Sequence, residues 1–233
     1  MANSDKQSNK WSGVLPSLPD FEMTTGDTAF VIVDMQYLDA HRDYGMGAEA
    51  KRMGTQDQLE YYISRVESLV TPNIQRLQKV CRENGVDVIF LKIGSLVEDG
   101  RDQAQVHKRL QLLAPVSSKE AEILEEIKPM DNEMVIIKGC SGVFNGTNFD
   151  QILANLGIKN LVFCGVATNY CVETSVRDAG DRDYNAILIE DACAGQTEEL
   201  DRFTMETLDN VYCKVMSTDD VISLIKAMPR PIA

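Results

Sequence analysis

Short apolar runs alternate with helical segments along most of this chain, and this alternation limits the folds it can adopt. The first run, at 28–33, reads Thr-Ala-Phe-Val-Ile-Val and carries no charge, as expected of a parallel strand buried on both faces. Strands that alternate with helices predict a three-layer α/β fold, in which helices cover a doubly wound, Rossmann-like sheet of about six parallel strands. The predicted strands lie at 28–33, 86–93, 134–137, 161–166, 186–189 and 212–216.

The N-terminal segment differs in composition from the rest of the chain. Residues 1–26 are polar with scattered Pro and Gly, and we interpret them as an N-terminal arm or tail. Residues 27–233 contain neither an internal repeat nor a clear linker, so we predict a single domain there. Within it, residues 59–84 have helical spacing, and Pro72 predicts a kink or a break between two helices.

Charge and cysteine usage argue against several functional classes. The chain has 36 acidic and 23 basic residues and a formal net charge of −13, which argues against nucleic-acid binding because that requires clustered Lys and Arg. Residues 1–10 are too polar for a signal peptide, and no apolar run approaches the ~20 residues of a membrane span. The six cysteines show no CxxC spacing and no Cys/His cluster, so we predict a cytoplasmic protein with no metal site and no cofactor.

Three reactive side chains are predicted to meet at one edge of the sheet. Asp34 follows the first strand, Lys138 ends the third, and Cys171 follows the fourth after a polar turn. Ligands of such sheets bind outside the carboxyl ends of the strands. There, Asp34 can act as a general base, Lys138 can hold Asp34 ionised, and Cys171 can attack an electrophilic carbon. Taken singly, each of these residue types at a strand end is more often structural, solvated or inert, so the prediction depends on their coincidence.

The local position of Cys171 strengthens this prediction. It opens the predicted helix 171–182, where the helix dipole favours a thiolate, and the N–H groups of the preceding turn can stabilise an oxyanion. The predicted role of Lys138 depends on the strand order. If the third strand lies at the sheet edge, the Lys138 side chain must reach across the second strand.

The segments around these three residues resemble the isochorismatase-like cysteine hydrolases, over a stretch from Asp27 to the C-terminus. The matching pieces are Val-Ile-Val-Asp-Met-Gln at 31–36, Ile-Lys at 137–138 with Ser141, Gly142, Phe144 and Thr147 after it, and Gly-Val-Ala-Thr-Asn-Tyr-Cys-Val-Glu at 165–173. The resemblance implies a catalytic triad of Asp34, Lys138 and Cys171. It also implies a cis peptide between Val166 and Ala167 and an oxyanion hole formed by the N–H groups of Ala167 and Cys171. Members of the family commonly form dimers or tetramers, so the resemblance implies a homodimer or homotetramer.

Differences within that family narrow the expected reaction. True isochorismatases, which cleave a vinyl ether, lack the nucleophilic cysteine, so Cys171 favours hydrolysis of a C–N bond. Nicotinamidases carry a metal site of one Asp and two His after the second strand, and neither His41 nor His107 fits that pattern. The motifs are most similar to the ureidoacrylate and biuret hydrolase branch, which implies a small ureido, carbamoyl or carboxamide substrate. Candidate substrate-binding residues are Gln36, Phe144, Asn145, Thr147 and Tyr170, and residues 37–58 depart from these relatives and are expected to line or cover the site.

Other interpretations of the chain remain open at this point. The protein could be a vinyl-ether hydrolase, or a catalytically idle binding protein that kept the fold. The Gly-x-Gly-x-x-Ala pattern at 45–50 is similar to a dinucleotide fingerprint but does not directly follow a strand. Cys140 could line the pocket, and His41 could contact substrate, although a solvated loop histidine is the simpler interpretation. Asp191 is interpreted as a structural turn residue.

Overall fold

The sheet has six parallel strands in the order β3-β2-β1-β4-β5-β6. In the computed structural model, which describes residue 14 and residues 16–230, the predicted α/β fold with a doubly wound sheet is confirmed. Each strand pairs in parallel with its neighbours. The strands are β1 (Thr28–Val33), β2 (Asp87–Ile93), β3 (Met134–Lys138), β4 (Asn160–Val166), β5 (Asn185–Ala194) and β6 (Lys214–Met216).

Helices connect the strands and cover both faces of the sheet. The α-helices are α1 (Tyr37–Ala40), α2 (Gly45–Met53), α3 (Glu60–Arg65), α4 (Thr71–Asn84), α5 (Gln105–Leu110), α6 (Phe149–Leu156), α7 (Glu173–Gly180), α8 (Glu198–Leu208) and α9 (Thr218–Ala227). Two π-helical segments, Val66–Val70 and Thr168–Val172, lead into α4 and α7. Single 3₁₀ turns lie at Gln56–Gln58, Lys119–Ala121 and Glu125–Ile127. Across residues 14 and 16–230, no helix combines the length and the apolar character needed to cross a bilayer.

Burial along the strands agrees with their places in the sheet. All six residues of β1 are buried, as its uninterrupted apolar run predicts for a central strand. In β3, at the edge, Val135 and Ile137 are 37% and 38% exposed. Lys138, the last residue of the same strand, has no exposed surface. A lysine buried at a strand end must be paired, and its partner defines the site described below.

Several elements differ from their predicted form. The helix predicted at 171–182 is the end of a π-helical segment followed by α7, and β6 begins at Lys214 instead of 212. The predicted helix at 59–84 is divided into α3, a π-helical segment and α4, and Pro72 lies in the first turn of α4, where its missing N–H is tolerated. β5 continues to Ala194 instead of ending at 189. Asp191 therefore lies inside a strand, but its structural role is confirmed, since its Oδ1 accepts hydrogen bonds from the N–H and the hydroxyl of Thr218, both 2.7 Å long.

The last part of the predicted N-terminal arm packs on the domain. Met23 and Thr25 are buried, and the Thr25 N–H donates to the carbonyl of Pro229 at 3.1 Å. Asp20 accepts a hydrogen bond of 2.7 Å from Lys214. Residues 1–13 and residue 15 lie outside the described residues, so the boundary at 26 and the single domain remain predictions.

Candidate active site

The strand order places Asp34 and Cys171 just beyond the carboxyl ends of two adjacent strands, β1 and β4, at the centre of the sheet. The chain leaves β1 toward β2 and β3 on one side, then returns to β4 on the other side, so the topological switch point lies between β1 and β4. Val33 pairs with Gly165 at the carboxyl ends of these two strands. Asp34 directly follows β1, and Cys171 follows β4 within the π-helical segment Thr168–Val172. The switch point is where open α/β sheets bind their ligands, so this edge is the candidate site.

Lys138 reaches this site from the edge strand, across β2. Its Nζ donates a hydrogen bond of 2.7 Å to Asp34 Oδ2 and one of 3.2 Å to the carbonyl of Cys140. Neighbouring strands lie about 4.8 Å apart, so the two side chains together span two strand spacings. The relative exposure of the two side chains is 0% and 1%, which makes this a buried ion pair. Burial alone lowers the pKa of Lys138, but the charge of Asp34 outweighs it and the pKa lies above its usual value, so the side chain is an ammonium.

The backbone of Asp34 is held in an unusual conformation. Its φ is 50°, in the left-handed region that Asp tolerates better than most residues. Its N–H donates to the carbonyl of Leu91 at 2.9 Å, and its own carbonyl accepts from the N–H of Gln36 at 2.8 Å. Its Oδ1 is buried and has no hydrogen-bond partner among the described residues. One carboxylate oxygen is therefore fixed by Lys138, while the other is available for a proton.

Cys171 is buried, and its surroundings oppose ionisation of the thiol. Its residue is 6% exposed. Burial raises the pKa of Cys171 well above its usual value, the charge of Asp34 adds to the rise, and Lys138 opposes it. Loss of hydration and the nearby carboxylate therefore act against the thiolate that the helix start is expected to favour. A neutral thiol beside a carboxylate with a free oxygen can give that carboxylate its proton.

The turn between β4 and Cys171 has the predicted backbone form. The Val166–Ala167 peptide bond is cis. The carbonyl of Ala167 accepts hydrogen bonds from the N–H groups of Tyr170 at 3.0 Å and Val172 at 3.4 Å. Gly165, just before the turn, has a φ of 113°, and a Cβ there would lie 2.1 Å from the carbonyl oxygen of Val33. Only glycine fits this close approach of β4 to β1, which brings the turn next to Asp34.

Gln36 has a structural position that the sequence did not indicate. Its side chain is buried, and its amide nitrogen donates to the carbonyls of Ile93 at 3.0 Å and Glu120 at 3.1 Å. Its Oε1 accepts from the N–H of Ile93 at 2.7 Å. These bonds engage both the nitrogen and the oxygen, so the Gln36 side chain ties the end of β1 to the end of β2. Its role in substrate binding remains a prediction.

Among the described residues, no hydrogen bond or ring contact joins the other four candidate binding residues to the Cys171 side chain. Phe144 is buried and packs edge-on against Phe149 at 5.2 Å between ring centroids, so it belongs to the core beneath α6. Thr147 Oγ1 donates to the carbonyl of Val143 and accepts from the N–H of Phe149, which anchors the start of α6. Asn145 is exposed, and Tyr170 is 51% exposed. Their role in substrate binding remains a prediction.

Residues 37–58 form ordered structure beside the site. The rings of Tyr37, His41 and Tyr44 stack or meet edge to face with centroids 4.9–5.1 Å apart, and His41 Nδ1 accepts from the N–H of Asp43 at 3.0 Å. His41 is therefore part of a loop cluster. The Gly-x-Gly-x-x-Ala pattern lies within α2, away from any strand end, so it is not a dinucleotide fingerprint. Whether the segment covers the site remains a prediction.

The sequence assigns no role to three polar residues that are buried in the structure and carry unpartnered atoms. Asp39, on α1, is 8% exposed and its Oδ2 has no hydrogen-bond partner among the described residues. His107 is 2% exposed with an unpartnered Nδ1, and burial followed by the charge of Lys138 lowers its pKa. Gln103 is 4% exposed with both amide atoms unpartnered. No sequence signal distinguishes them, because all three residue types usually lie on the surface.

Other candidate centres are not supported within the described part of the chain. No group of three or more His, Cys, Asp or Glu residues there is arranged to hold a metal ion. All six cysteines are free. Cys140 Sγ lies 2.5 Å from the carbonyl of Asn145, and burial raises its pKa. Cys81, Cys164 and Cys213 are buried in the hydrophobic core.

Comparisons of sequence relate this chain to known proteins. The family model described as the Isochorismatase domain matches residues 28–220. The chain is 29% identical to the ureidoacrylate amidohydrolase RutB of Pseudomonas savastanoi pv. phaseolicola, over 99% of this chain and 97% of the relative. It is 34% identical to a protein of the same name from Variovorax paradoxus, over 77% of this chain and 73% of the relative.

Comparisons of structure agree on the fold. A cysteine hydrolase from Pseudomonas syringae pv. phaseolicola 1448A superposes with a TM-score of 0.74 at 23% identity, covering 91% of this chain and 98% of that one. An N-carbamoylsarcosine amidase from Thermoplasma acidophilum superposes with a TM-score of 0.62 at 22% identity, covering 83% and 97%. At these identities the superpositions establish a shared fold.

Proposed function

Because the chain belongs to the isochorismatase family, we propose that it is a cysteine amidohydrolase that cleaves a C–N bond of a small ureido, carbamoyl or carboxamide compound. The observation that carries the proposal is the buried Lys138–Asp34 ion pair at the switch point of the sheet, where β4 also delivers the buried thiol of Cys171. The names of the relatives, ureidoacrylate amidohydrolases, support the substrate class.

The first half-reaction forms a covalent intermediate. Cys171 gives its proton to the free oxygen of Asp34 as the sulfur attacks the carbonyl carbon of the substrate. The charge that develops on the carbonyl oxygen is stabilised by the N–H groups of Ala167 and Cys171. Asp34 then passes the proton to the leaving nitrogen, which departs as ammonia or an amine. The product is a thioester on Cys171, or a thiocarbamate when the substrate is a ureido compound.

The second half-reaction restores the enzyme. Asp34 takes a proton from a water molecule, and the resulting hydroxide attacks the thioester carbon. The sulfur leaves as a thiolate and takes the proton back from Asp34. Lys138 remains an ammonium throughout and stabilises the carboxylate and the transient thiolate. The thiol therefore needs no low resting pKa, because the base beside it removes the proton only as attack proceeds.

We also propose that the protein works as a homodimer or homotetramer in the cytoplasm. The edge strand β3 supports self-association, because it exposes Val135 and Ile137 on an unpaired sheet edge. Light scattering coupled to size-exclusion chromatography measures the assembly directly, and a monomer at micromolar concentration would contradict this part of the proposal.

A substrate panel tests the function. Ureido, carbamoyl and simple carboxamide compounds are scored for release of ammonia or amine, with isochorismate included for the vinyl-ether alternative. We expect turnover of a ureido or carbamoyl compound that is lost in Cys171→Ala and Asp34→Asn. Cys140→Ala is the matched control, since Cys140 is a free thiol near Lys138 that takes no part in the reaction. Full activity of Cys171→Ala would refute the proposal.

A further inference from the structure

Asp39 is a buried carboxyl group for which the fold provides no side-chain partner among the described residues. It lies on α1, five residues after Asp34, and it is 8% exposed. Its Oδ2 is buried and makes no hydrogen bond to any described residue. A buried polar atom without a partner destabilises a protein by about 1–3 kcal/mol. An unsatisfied buried carboxyl group calls for an explanation, and a hydrogen bond to a bound ligand would satisfy it.

The main chain holds Asp39 firmly in this place. Its N–H donates to the carbonyl of Gln36 at 3.2 Å, and its carbonyl accepts from the hydroxyl of Tyr62 at 2.9 Å. Gln36 is itself clamped to the end of β2. The side chain is therefore carried on backbone that is tied to the end of β1 and to α3, and it is pre-positioned in the way that substrate-binding groups require.

The surroundings of Asp39 connect it to the catalytic groups. Burial raises its pKa well above the usual carboxyl range, the charge of Asp34 raises it further, and Lys138 opposes the rise. The charge of Asp39 in turn contributes to raising the pKa values of Cys171 and Lys138. The carboxyl group of Asp39 is thus electrostatically coupled to Asp34, Lys138 and Cys171.

The hydrogen-bond needs of the substrate indicate what Asp39 binds. In the proposed reaction, the substrate carbonyl is held by backbone N–H groups, and Asp34 serves the thiol and the leaving nitrogen. A ureido or carboxamide group also carries N–H donors that need an acceptor once they leave water. The ammonium of Lys138 cannot accept, since it has donors alone. Asp39 Oδ2 is a buried oxygen with unused acceptor capacity, carried on the turn that follows Asp34 and Gln36 at the carboxyl end of β1.

We propose that Asp39 is a substrate-contacting residue whose Oδ2 accepts a hydrogen bond from an N–H group of the ureido or carboxamide substrate. This inference rests on the proposed amidohydrolase function and extends it with a residue that selects substrates bearing a free N–H. It assigns α1 a direct part in specificity, in addition to its packing against α2 and the 3₁₀ turn Lys119–Ala121.

Two substitutions separate this role from a structural one. Asp39→Asn keeps an acceptor oxygen of the same size, and we expect its KM to stay within about threefold of the unaltered enzyme. Asp39→Leu removes the acceptor, and we expect KM to rise about tenfold with a smaller change in kcat, the effect of one lost hydrogen bond to a desolvated group. Because the leucine side chain replaces an unpaired buried carboxyl, the melting temperature should not fall. An unchanged KM in Asp39→Leu, or a large fall in melting temperature, would overturn the inference.

A binding cycle tests the contact itself, independently of turnover. Calorimetry on Cys171→Ala measures the affinity of the preferred panel compound and of its N,N-dimethyl analogue, both with Asp39 intact and with the added Asp39→Leu substitution. We expect the methyl groups to weaken binding about tenfold when Asp39 is intact and to have little further effect in the Asp39→Leu background, because both changes remove the same bond. Equal losses in the two backgrounds would overturn the inference.

The two proposals fail in different ways. Cys171-dependent turnover with a normal KM in Asp39→Leu leaves the amidohydrolase function intact and refutes the role of Asp39. Binding that depends on Asp39 without any Cys171-dependent turnover refutes the function and supports the contact. Absence of both binding and turnover across the panel refutes both.

Discussion

Removal of Lys138 should destabilise the fold and abolish activity at once. Lys138→Met keeps the length of the side chain but removes the ammonium, and it leaves the carboxylate of Asp34 buried at 1% exposure without its 2.7 Å partner. Breaking a buried ion pair by deleting one member lowers the free energy of unfolding by about 3–5 kcal/mol. For a chain of this size that corresponds to a fall in melting temperature of roughly 10 °C.

The double variant distinguishes this cause from lost packing. Asp34→Asn with Lys138→Met removes both charges, and replacing a whole buried pair is often neutral or stabilising. We therefore expect the double variant to recover most of the stability lost in Lys138→Met, while remaining inactive because the general base is gone. Urea unfolding followed by circular dichroism measures all four members of the cycle. A Lys138→Met protein within about 1 kcal/mol of the unaltered one would refute the reasoning, since such a result falls below the range for a broken buried pair.

Three further outcomes follow from the described contacts. Asp34→Asn should abolish hydrolysis but make Cys171 react faster with iodoacetamide at a mildly alkaline pH, because Asp34 raises the pKa of the Cys171 thiol and Lys138 lowers it. Peptide mass spectrometry measures the rate of alkylation, with Cys140 as the internal reference. Slower alkylation of Cys171 in the variant would contradict this prediction. Gly165→Ala should lower the free energy of unfolding by about 2–4 kcal/mol in urea titrations, because its Cβ would lie 2.1 Å from the Val33 carbonyl oxygen at a φ of 113°, and a neutral effect would contradict the close approach. Gln36→Leu should also lower stability by about 2–4 kcal/mol, because it removes three buried hydrogen bonds to backbone groups; a rise in KM at unchanged stability would instead support its predicted role in binding.

The sheet and the identity of its reactive residues could be predicted because they depend on local pattern. A run such as 28–33 is apolar on both faces only if a strand is covered on both sides, and β1 is buried along its whole length. The residues that follow such runs must then collect at one edge of a parallel sheet. Because β3 lies at the sheet edge, Lys138 can contact Asp34 only if its side chain reaches across β2, and the 2.7 Å hydrogen bond shows that it does.

The electrostatic state of the site could not be predicted in the same way. The pKa of Cys171 depends on how much water its sulfur retains and on its distance to Asp34. Neither quantity can be predicted from the residues next to Cys171 in the sequence. Asp39 lies in a polar stretch directly after the motif, where a solvated residue is expected, yet it is buried because α1 packs against α2 and the 3₁₀ turn Lys119–Ala121. Gln36 is a candidate substrate-binding residue in the sequence, whereas the hydrogen-bond partners of its side chain come from the end of β2 and a distant turn.

The central claim is that Cys171 becomes acylated during turnover, and trapping that intermediate tests it most directly. The enzyme is mixed with its preferred ureido or carbamoyl substrate, quenched in acid within milliseconds and digested for peptide mass spectrometry. We predict that the peptide containing Cys171 gains the mass of the acyl or carbamoyl group, and that Cys171→Ala shows neither the adduct nor ammonia release. Turnover that persists in Cys171→Ala, or an adduct on Cys140 in place of Cys171, would contradict the account.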